Sequence, residues 1–523
     1  MRPFIVLSFF LIVSCTQFVK STDTDYFEET FDSNSNQLQV YFSHNINGET
    51  HPCGCRNFPL GGLPQVYGEI ASKKNATPTL YIDSGDTFFP LPIVPQSIRK
   101  STEFTARKIA ESMDMIGLNY FTPGDQDFAL GEKFLIEISQ KHKFKFLISN
   151  SSASMKIKHR QLGIIKSSKT TFYIIGITDP GFFQSDFKNL FTQPEVAIKK
   201  QIDFINTQSG NKKIILVSHS GLEQDQIYAK KFPQIDWIIG SHSQSYLYHP
   251  VEVGNTKLVQ VLSRNHFLGH LNINLNENAK SHYEILEMRD EKKDLLKNND
   301  MIPWLAAYKS NLERIQEEEQ NIVSVDTSTK PLPTFSSCLE CHSKQTEFWQ
   351  STSHSLAFST LIDANASHNQ ACIVCHTVGY KNPQGFITPK KMILSEREEF
   401  DIKKYWKEFS SHMNLKGQSI RKLSNKQRTQ FSKKLISFDE KNKVTHNFSN
   451  VQCLNCHNQT SEHPFDVETA KVKPDYQKAC LNCHTPDQSP SWYTKDSKKL
   501  ATSINAKYFE QKLKQVSCPK IER

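Results

Sequence analysis

The run Thr79-Leu-Tyr-Ile-Asp-Ser-Gly-Asp86 switches from apolar to polar within one step. Thr79–Ile82 has the β-branched and aromatic composition of a buried strand, and Asp83-Ser84-Gly85-Asp86 reads as the turn that ends it. The same switch recurs outward along the chain. Leu38–Phe42 runs into His44-Asn45-Ile46-Asn47-Gly48, Lys213–Ser218 into Ser218-His219-Ser220-Gly221, and Trp237–Ile239 into Gly240-Ser241-His242-Ser243-Gln244. A fifth polar cluster is Gly124-Asp125-Gln126-Asp127, and further strand-like runs are Phe144–Ile148, Thr171–Ile177 and Lys257–Leu262. Helical patterns lie between them at Leu63–Lys74, Ile98–Gly117, Gly131–Lys141 and Glu195–Thr207. This alternation predicts a sheet-based α/β layered domain over residues 37–295. Asp, Asn and His gathered where strands end predict a metal site of oxygen and nitrogen ligands.

At 523 residues the chain is too long for a single core, and about 100–200 residues per domain implies two to four units. With 37% hydrophobic and 22% charged residues it reads as globular, which excludes collagen-like, low-complexity and multi-span membrane classes. The net charge of +9 is unevenly placed: residues 335–523 hold 28 Lys and Arg against 18 Asp and Glu, a net +10. A basic domain invites a nucleic-acid reading. The cysteines supply a simpler one.

Of twelve cysteines, eight form four C-x-x-C pairs: Cys338/Cys341, Cys372/Cys375, Cys453/Cys456 and Cys480/Cys483. Each pair is followed at once by a histidine, His342, His376, His457 or His484. C-x-x-C-H attaches c-type haem: two thiols bond the macrocycle and the adjacent imidazole is the proximal iron ligand. Zinc and thioredoxin-like sites also use C-x-x-C, but neither needs a histidine next to it four times in four. Four haems bring up to about eight propionate charges, so the basic excess is mostly internal compensation, with a docking face for an acidic redox partner and no nucleic acid. Distal-ligand candidates are His354, twelve residues after His342, together with His463, His412 and His446; His368, His412 and His446 are equally readable as surface or capping residues.

Residues 335–488 resemble the tetrahaem cytochromes c that carry electrons from hydroxylamine oxidation in nitrifiers. The matching text is Cys338-Leu-Glu-Cys-His342, Trp349-x-x-Ser-x-His354-x-x-Ala357, Cys372-Ile-Val-Cys-His-Thr-Val-Gly-Tyr380, Gly385-Phe386, Val451-Gln-Cys-Leu-Asn-Cys-His457 with Ser461-Glu462-His463, and Cys480-Leu-Asn-Cys-His484. The resemblance implies a mainly α-helical, loop-rich multihaem domain over 335–523, with His354 and His463 as distal ligands to neighbouring haems. Residues 392–447, a Lys/Ser-rich stretch between the second and third attachment motifs, depart from it.

The five clusters of the front half, with Gly61-Gly62-Leu63, Gly85-Asp86-Thr87-Phe88, Ile238-Ile239-Gly240 and Phe128-Ala-Leu-Gly131, resemble the calcineurin-like metallophosphoesterases, in the branch holding 5′-nucleotidases. The resemblance implies an αββα fold and two divalent metals bridged by Asp86. One metal would take Asp125, His219 and His242 besides the bridge. The other would take Asn45, Asn47 and Gln244, where the family has stronger ligands; neutral amides are poor partners for a hard dication. Gln126 stands where a histidine protonates the leaving group, and an amide cannot act as a general acid. The site is therefore either catalytically weak or holds one divalent metal. His44, His51, Cys53 and Cys55 lie beside the eroded motif and could rebuild it; the other readings leave Cys53-Gly54-Cys55 unligated or pair Cys53 or Cys55 with Cys518.

The first residues, Met1-Arg2 and then an apolar run from Phe4 to Val13 interrupted by Ser8, read as an export signal too short to span a bilayer. Ile12-Val13-Ser14-Cys15 resembles a bacterial lipobox, which implies a lipidated Cys15, with ordinary secretory cleavage as the alternative. The division is then a signal at 1–15, a solvated tether at 16–36, the α/β domain at 37–295, a helix and linker at 296–334 (helical over Met301–Gln320), and the haem domain at 335–523. The expectation is a lipid-anchored protein of the bacterial cell envelope, on the periplasmic or cell-surface side, that transfers electrons through four haems to protein partners. Its alternatives are a metal-dependent phosphoester or sulfur-ester hydrolase coupled to a redox module, and a haem-based reductase of a small nitrogen compound.

Overall fold

The structure, a computed structural model, describes residues 26–30, 37–52, 60–71, 78–95, 98–167, 169–183, 186–275, 280–289, 293–320, 331–339, 341–364, 366–367, 369–382, 384–413, 420–457, 475–485, 489–495 and 502–519. The front half runs β1 (Tyr26–Thr30), β2 (Gln37–Ser43), α1 (Leu63–Ala71), β3 (Thr79–Asp83), α2 (Arg99–Ile116), β4 (Tyr120–Phe121), α3 (Glu132–Lys141), β5 (Lys145–Leu147), β6 (His159–Arg160) and β7 (Leu162–Lys166). It continues with β8 (Thr171–Thr178), α4 (Pro194–Thr207), β9 (Lys212–His219), α5 (Leu222–Lys231), β10 (Trp237–Gly240), β11 (Val251–Val253), β12 (Thr256–Val259), β13 (Phe267–Asn274), β14 (His282–Glu287), α6 (Lys293–Leu296) and α7 (Met301–Gln320).

Two seven-stranded mixed sheets result, ordered β14-β13-β2-β3-β4-β5-β6 and β1-β7-β8-β9-β10-β12-β11. Side-chain alternation along each strand explains why they stack. In the first sheet Val40, Phe42, Leu80 and Ile82 enter the space between the sheets, where they meet Ile174, Ile215, Val217 and Ile239 of the second. The intervening Tyr41 and Tyr81 join the core under α1, α2 and α3. In the second sheet Ile175, Ile214 and Leu216 pack outward against α4 and α5. Strands buried on both faces read as unbroken apolar runs, and the four layers follow: helices, sheet, sheet, helices.

The predicted strands and helices agree with this order to within a few residues, and Gly117 ends α2 in the left-handed conformation, φ 90°. Two boundaries shift. Tyr26–Thr30, inside the stretch expected to be a solvated tether, forms an edge strand parallel to β7. Helix α7, expected in the connecting segment, belongs to the first domain. Its Met301 enters the core, Trp304 and Tyr308 stack at 5.7 Å, Tyr308 stacks on Phe104 of α2 at 5.9 Å, and Glu319 accepts the Ser101 N–H in the first turn of α2 at 2.9 Å. No helix among the described residues is long and apolar enough to cross a membrane.

The second half comprises α8 (Phe335–Leu339), α9 (Ser343–Ser351), α10 (Ala357–Asp363), α11 (Gln370–His376), β15 (Ile393–Ser395), α12 (Ile402–Met413), α13 (Asn425–Lys441), β16 (Val444–Asn447), α14 (Cys453–Cys456), α15 (Tyr476–Leu481), β17 (Tyr493–Lys495), β18 (Thr502–Ile504) and α16 (Ala506–Val516). It is mainly helical. The described residues of 392–447 are part of the domain core: β15 pairs antiparallel with β16, α13 opens on a capping box at Ser424 and Gln427, and Tyr405, Trp406, Phe409, Leu435 and Phe438 join one core with Phe358, Ile373 and Phe386. Trp406 lies 5.0 Å from Phe358 and 5.8 Å from Phe409, ring centre to ring centre. Its replacement by alanine is expected to cost about 3–5 kcal/mol. Denaturant unfolding followed by the absorbance of the C-terminal region measures this; a loss below about 1 kcal/mol would show that the insertion is not part of the core.

Candidate functional site

Four of the five polar clusters follow β2, β3, β9 and β10, and the fifth follows β4 at Gly124–Asp127, so parallel pairing brings all five to one edge of the sandwich. The backbone there is strained: Asn45 (φ 48°), Asn47 (55°), Asp86 (57°), His242 (64°) and Gln244 (48°) are all left-handed. Such residues cost on the order of 1–3 kcal/mol each and persist only where their surroundings fix them. The main fixture is the Asp127 carboxyl group, which accepts the backbone N–H groups of Asp86, Thr87, Phe88 and Gly124 at 2.8–2.9 Å. Gly124 is required by proximity, because a Cβ there would lie 2.3 Å from Asp86 Oδ1 and 2.4 Å from His219 Cε1.

On this frame Asp86, Asp125, His219 and His242 present ligand atoms that all lie within 4.8 Å of one another. His219 Nε2 is 3.4 Å from Asp86 Oδ2 and 3.5 Å from Asp125 Oδ1; His242 Nδ1 is 3.3 Å from Asp125 Oδ1. His219 Nδ1 donates to the Ser84 carbonyl at 2.7 Å, which leaves Nε2 as the ligating nitrogen. Burial opposes charge on His219, but Asp86 and Asp125 outweigh it and hold the imidazole well above its usual pKa. Burial likewise opposes ionisation of Asp125, and His219 and His242 overcome it, holding the carboxyl far below the ordinary carboxylate range. Protons here occupy the place of a cation and leave when one binds. Two carboxylates and two imidazoles suit a divalent metal of the zinc or manganese kind.

The weaker half of the predicted ligand set is arranged differently. Asn45 Nδ2 and Gln126 Nε2 donate to Asp86 Oδ2 at 2.9 and 3.0 Å. His44 does not rebuild a metal position: Nε2 accepts the Val261 N–H at 2.8 Å and Nδ1 donates to Asn45 Oδ1 at 2.8 Å, so both nitrogens are taken. Burial lowers its pKa to about 4, which keeps it neutral. His51 Nδ1 contacts Thr50 Oγ1 at 2.9 Å, Asn47 Oδ1 is buried with no hydrogen-bond partner, and Gln244 is half-buried. Cys15, Cys53, Cys55, His368 and His463 lie outside the described residues.

A cavity of about 1950 Å³ is lined from both halves: Asn47, His51, Arg264 and Tyr308 on one side, and Cys372, Cys375, His376, Cys480, Cys483, His484 and His354 on the other. His376 Nδ1 donates to the Ala357 carbonyl at 2.6 Å, and His484 Nδ1 meets Ser489 Oγ at 2.9 Å while its ring stacks on Trp492 at 4.1 Å. With Nδ1 engaged, Nε2 would be the nitrogen to ligate a haem iron in each. Burial lowers the pKa of His484 to about 4, and burial together with His376 lowers that of His354, so these imidazoles are in the neutral, ligating form. Across motifs, Cys338 meets the Cys453 thiol and Cys375 the Cys483 thiol; none of the eight cysteines is in a disulfide.

The first motif differs from the others in exposure. Cys338 is half-buried, but Cys341 is exposed and stands outside the wall of this cavity. The reason is local: α8 ends at Leu339, and Cys341 falls in the turn before α9, where the chain faces solvent. His457 of the third motif is also exposed, edge-on to Tyr476 with centroids 6.0 Å apart. Of the other distal candidates, His412 is exposed beside Phe438, and His446 on β16 has a buried Nδ1 with no hydrogen-bond partner, its ring stacked on Phe448. Paired thiols beside oriented neutral imidazoles, set around a large cavity, fit covalently attached haem at the second and fourth motifs.

Comparison with known proteins assigns both halves. Residues 337–397 match the family model for cytochrome c554 and c-prime. The N-terminal half matches mouse 5′-nucleotidase, 27% identical over 207 residues (37% of this chain and 34% of the relative), and human 5′-nucleotidase, 26% over 200 residues (36% and 33%). The chain spans about a third of the length of these curated relatives. Among solved structures it is similar to the calcineurin-like phosphoesterase YfkN from Bacillus subtilis, at TM-score 0.44 and 18% identity over 54% of this chain and 99% of that one. It is also similar to a 5′-nucleotidase precursor from Thermus thermophilus, at 0.43 and 19% over 52% and 59%. The front α/β domain is thus similar to 5′-nucleotidases, and the helical region behind it carries a match to cytochrome c554 and c-prime.

Sequence reasoning had no role for Asp127 or for the partners of His44; both roles are set by backbone N–H groups distant in the chain. Asp127→Asn turns one acceptor oxygen into a donor facing backbone N–H groups, at a cost on the order of 1–3 kcal/mol. We expect a lower melting temperature and at least about tenfold weaker Mn²⁺ binding, measured by equilibrium dialysis; unchanged binding would show that the ligand loops are fixed elsewhere.

Proposed function

We propose that this chain is an exported, lipid-anchored electron-transfer protein carrying four covalent c-type haems, in which the phosphoesterase-like domain serves as a metal-binding scaffold for partner proteins. The observation that carries the reading is the fourfold C-x-x-C-H series, with the rings of His376 and His484 pinned through Nδ1 around one cavity. When bound, the haems supply reversible one-electron chemistry. The chain's own groups hold the attachment thiols in place, keep the axial imidazoles neutral and, through 28 Lys and Arg in residues 335–523, offset propionate charge. Cys341 is exposed, so a haem attached at the first motif would be held by a thiol on the solvent side of the chain, a suitable place for electrons to enter or leave. This use of the basic excess argues for redox partner proteins and against nucleic acid.

Two observations disfavour a hydrolase of phosphate or sulfur esters. Gln126 cannot protonate a leaving group, and Asn45 with Gln126 supplies N–H donors where a second metal would need anionic or imidazole ligands. A haem-based reductase of a small nitrogen compound needs an open iron, and the surplus histidines, His354 foremost, argue for capped ones. Lipidation of Cys15 would place the protein on the periplasmic or cell-surface side of the bacterial envelope.

A pyridine haemochrome assay on the mature holoprotein should give four haems per chain, and mass analysis of haem peptides should locate them at the four C-x-x-C pairs; two or fewer overturns the reading. The same preparation, supplied with Mn²⁺, should release negligible phosphate from nucleoside monophosphates, and sustained turnover would reinstate the hydrolase.

A further inference from the structure

The fold family implies two metals sharing Asp86, and the residues present fit only one. A carboxylate offers about four lone-pair positions. At Asp86, Oδ2 accepts Asn45 Nδ2 and Gln126 Nε2 at 2.9 and 3.0 Å, and Oδ1 accepts the Gln126 backbone N–H at 3.0 Å. Three positions are thereby taken, and the one that remains is on Oδ1; Oδ2, which lies 3.4 Å from His219 Nε2, already has two N–H donors.

The Asn45 amide cannot turn round to offer its oxygen instead. A backbone N–H can only donate, so the Val261 N–H at 2.8 Å makes His44 Nε2 an acceptor. A neutral imidazole then carries its proton on Nδ1, which donates to Asn45 Oδ1 at 2.8 Å. The His242 N–H supports the same oxygen at 3.2 Å. With Oδ1 held by two donors, Nδ2 must face Asp86. For Gln126 the acceptor-only carboxylate sets the orientation directly, and Gln126 Oε1 is left buried without a hydrogen-bond partner.

We infer that the centre takes one divalent cation per chain, at Asp86, Asp125, His219 and His242, because a relay from Val261 through His44 and Asn45 fills with N–H groups the position a second cation would share. The inference rests on the reading of the front domain as a metal-binding scaffold and adds its stoichiometry and the device that sets it. Two carboxylates compensate one dication; with Asn45, Asn47 and Gln244 all neutral, a second dication would add charge with no anion of its own to meet it. N–H dipoles aimed at Asp86 point their positive ends at that same place.

Equilibrium dialysis of the haem-loaded, full-length protein against Mn²⁺, read by manganese analysis and EPR, tests it. We expect one Mn²⁺ per chain and the six-line spectrum of an isolated ion. The variant Asn45→Asp/Asn47→His/Gln126→His, checked for folding by its melting curve, should bind two and show an exchange-coupled spectrum. Two Mn²⁺ on the unaltered chain, both lost in Asp86→Ala, overturns the inference while leaving the scaffold reading intact. No Mn²⁺ on the unaltered chain overturns both. A folded triple variant that stays at one overturns the claim that the relay sets the number. Because the unaltered chain is measured first, the test stands even if the triple variant fails to fold.

Discussion

The front domain depends on one buried carboxyl group. Asp127 gathers four backbone N–H groups from two loops that follow adjacent strands, and this holds Asp86 in a left-handed conformation no relaxed loop would choose. Parallel pairing of β2, β3 and β4 sets the ends of those strands side by side, but the pairing alone brings the loops only into the same neighbourhood. The carboxyl group converts neighbourhood into geometry, and Gly124 leaves the space into which Asp86 and His219 close. The strain at Asp86 is tolerable because these contacts over-determine it.

What was legible in the sequence is what strands and helices write into hydrophobic periodicity. Helix α2 was expected at Ile98–Gly117 and spans Arg99–Ile116, because its apolar stripe and terminal glycine are local signals. Strand β13 carries its signal in the alternation of Leu271 and Ile273 with His270, Asn272 and Asn274, buried and half-buried in turn, rather than in an unbroken apolar run like those of the central strands. Tyr26–Thr30 escaped notice because it is a strand only by virtue of β7, more than a hundred residues later. The four-ligand cluster was legible because motif order fixes strand order, whereas the fate of Asn45 was not. As a lone residue it is a weak ligand; only the Val261–His44 contact, across more than two hundred residues, shows that its amide faces the other way. The four attachment motifs looked alike as text, and the outward placement of Cys341 depends on where α8 stops, which the motif does not record.

The second half follows a different logic, with attachment chemistry in short motifs and shape in the residues between. The Lys/Ser-rich composition of residues 392–447 suggests a solvated excursion, yet its aromatic residues lie at helical spacing in α12, where Tyr405, Trp406, Phe409 and Met413 are all buried. The charged residues are its outer surface. One of them, Lys403, reaches Glu317 and Glu313 of α7, the helix that packs along α2, so the end of the first domain's outer layer is also a point of contact with the second. Exposed pairs of this kind contribute at most about 1 kcal/mol and orient more than they stabilise.

Edge strand β1 bears on how far the protein can stray from its support. Its pairing with β7 makes Tyr26–Thr30 part of the folded domain, which was expected to begin only at residue 37. On the proposed acylation of Cys15, the stretch from that cysteine to Tyr26 extends to at most about 40 Å even when fully drawn out. The body of the molecule would then patrol a shallow layer above the bilayer, and only redox proteins that reach into that layer could exchange electrons with it.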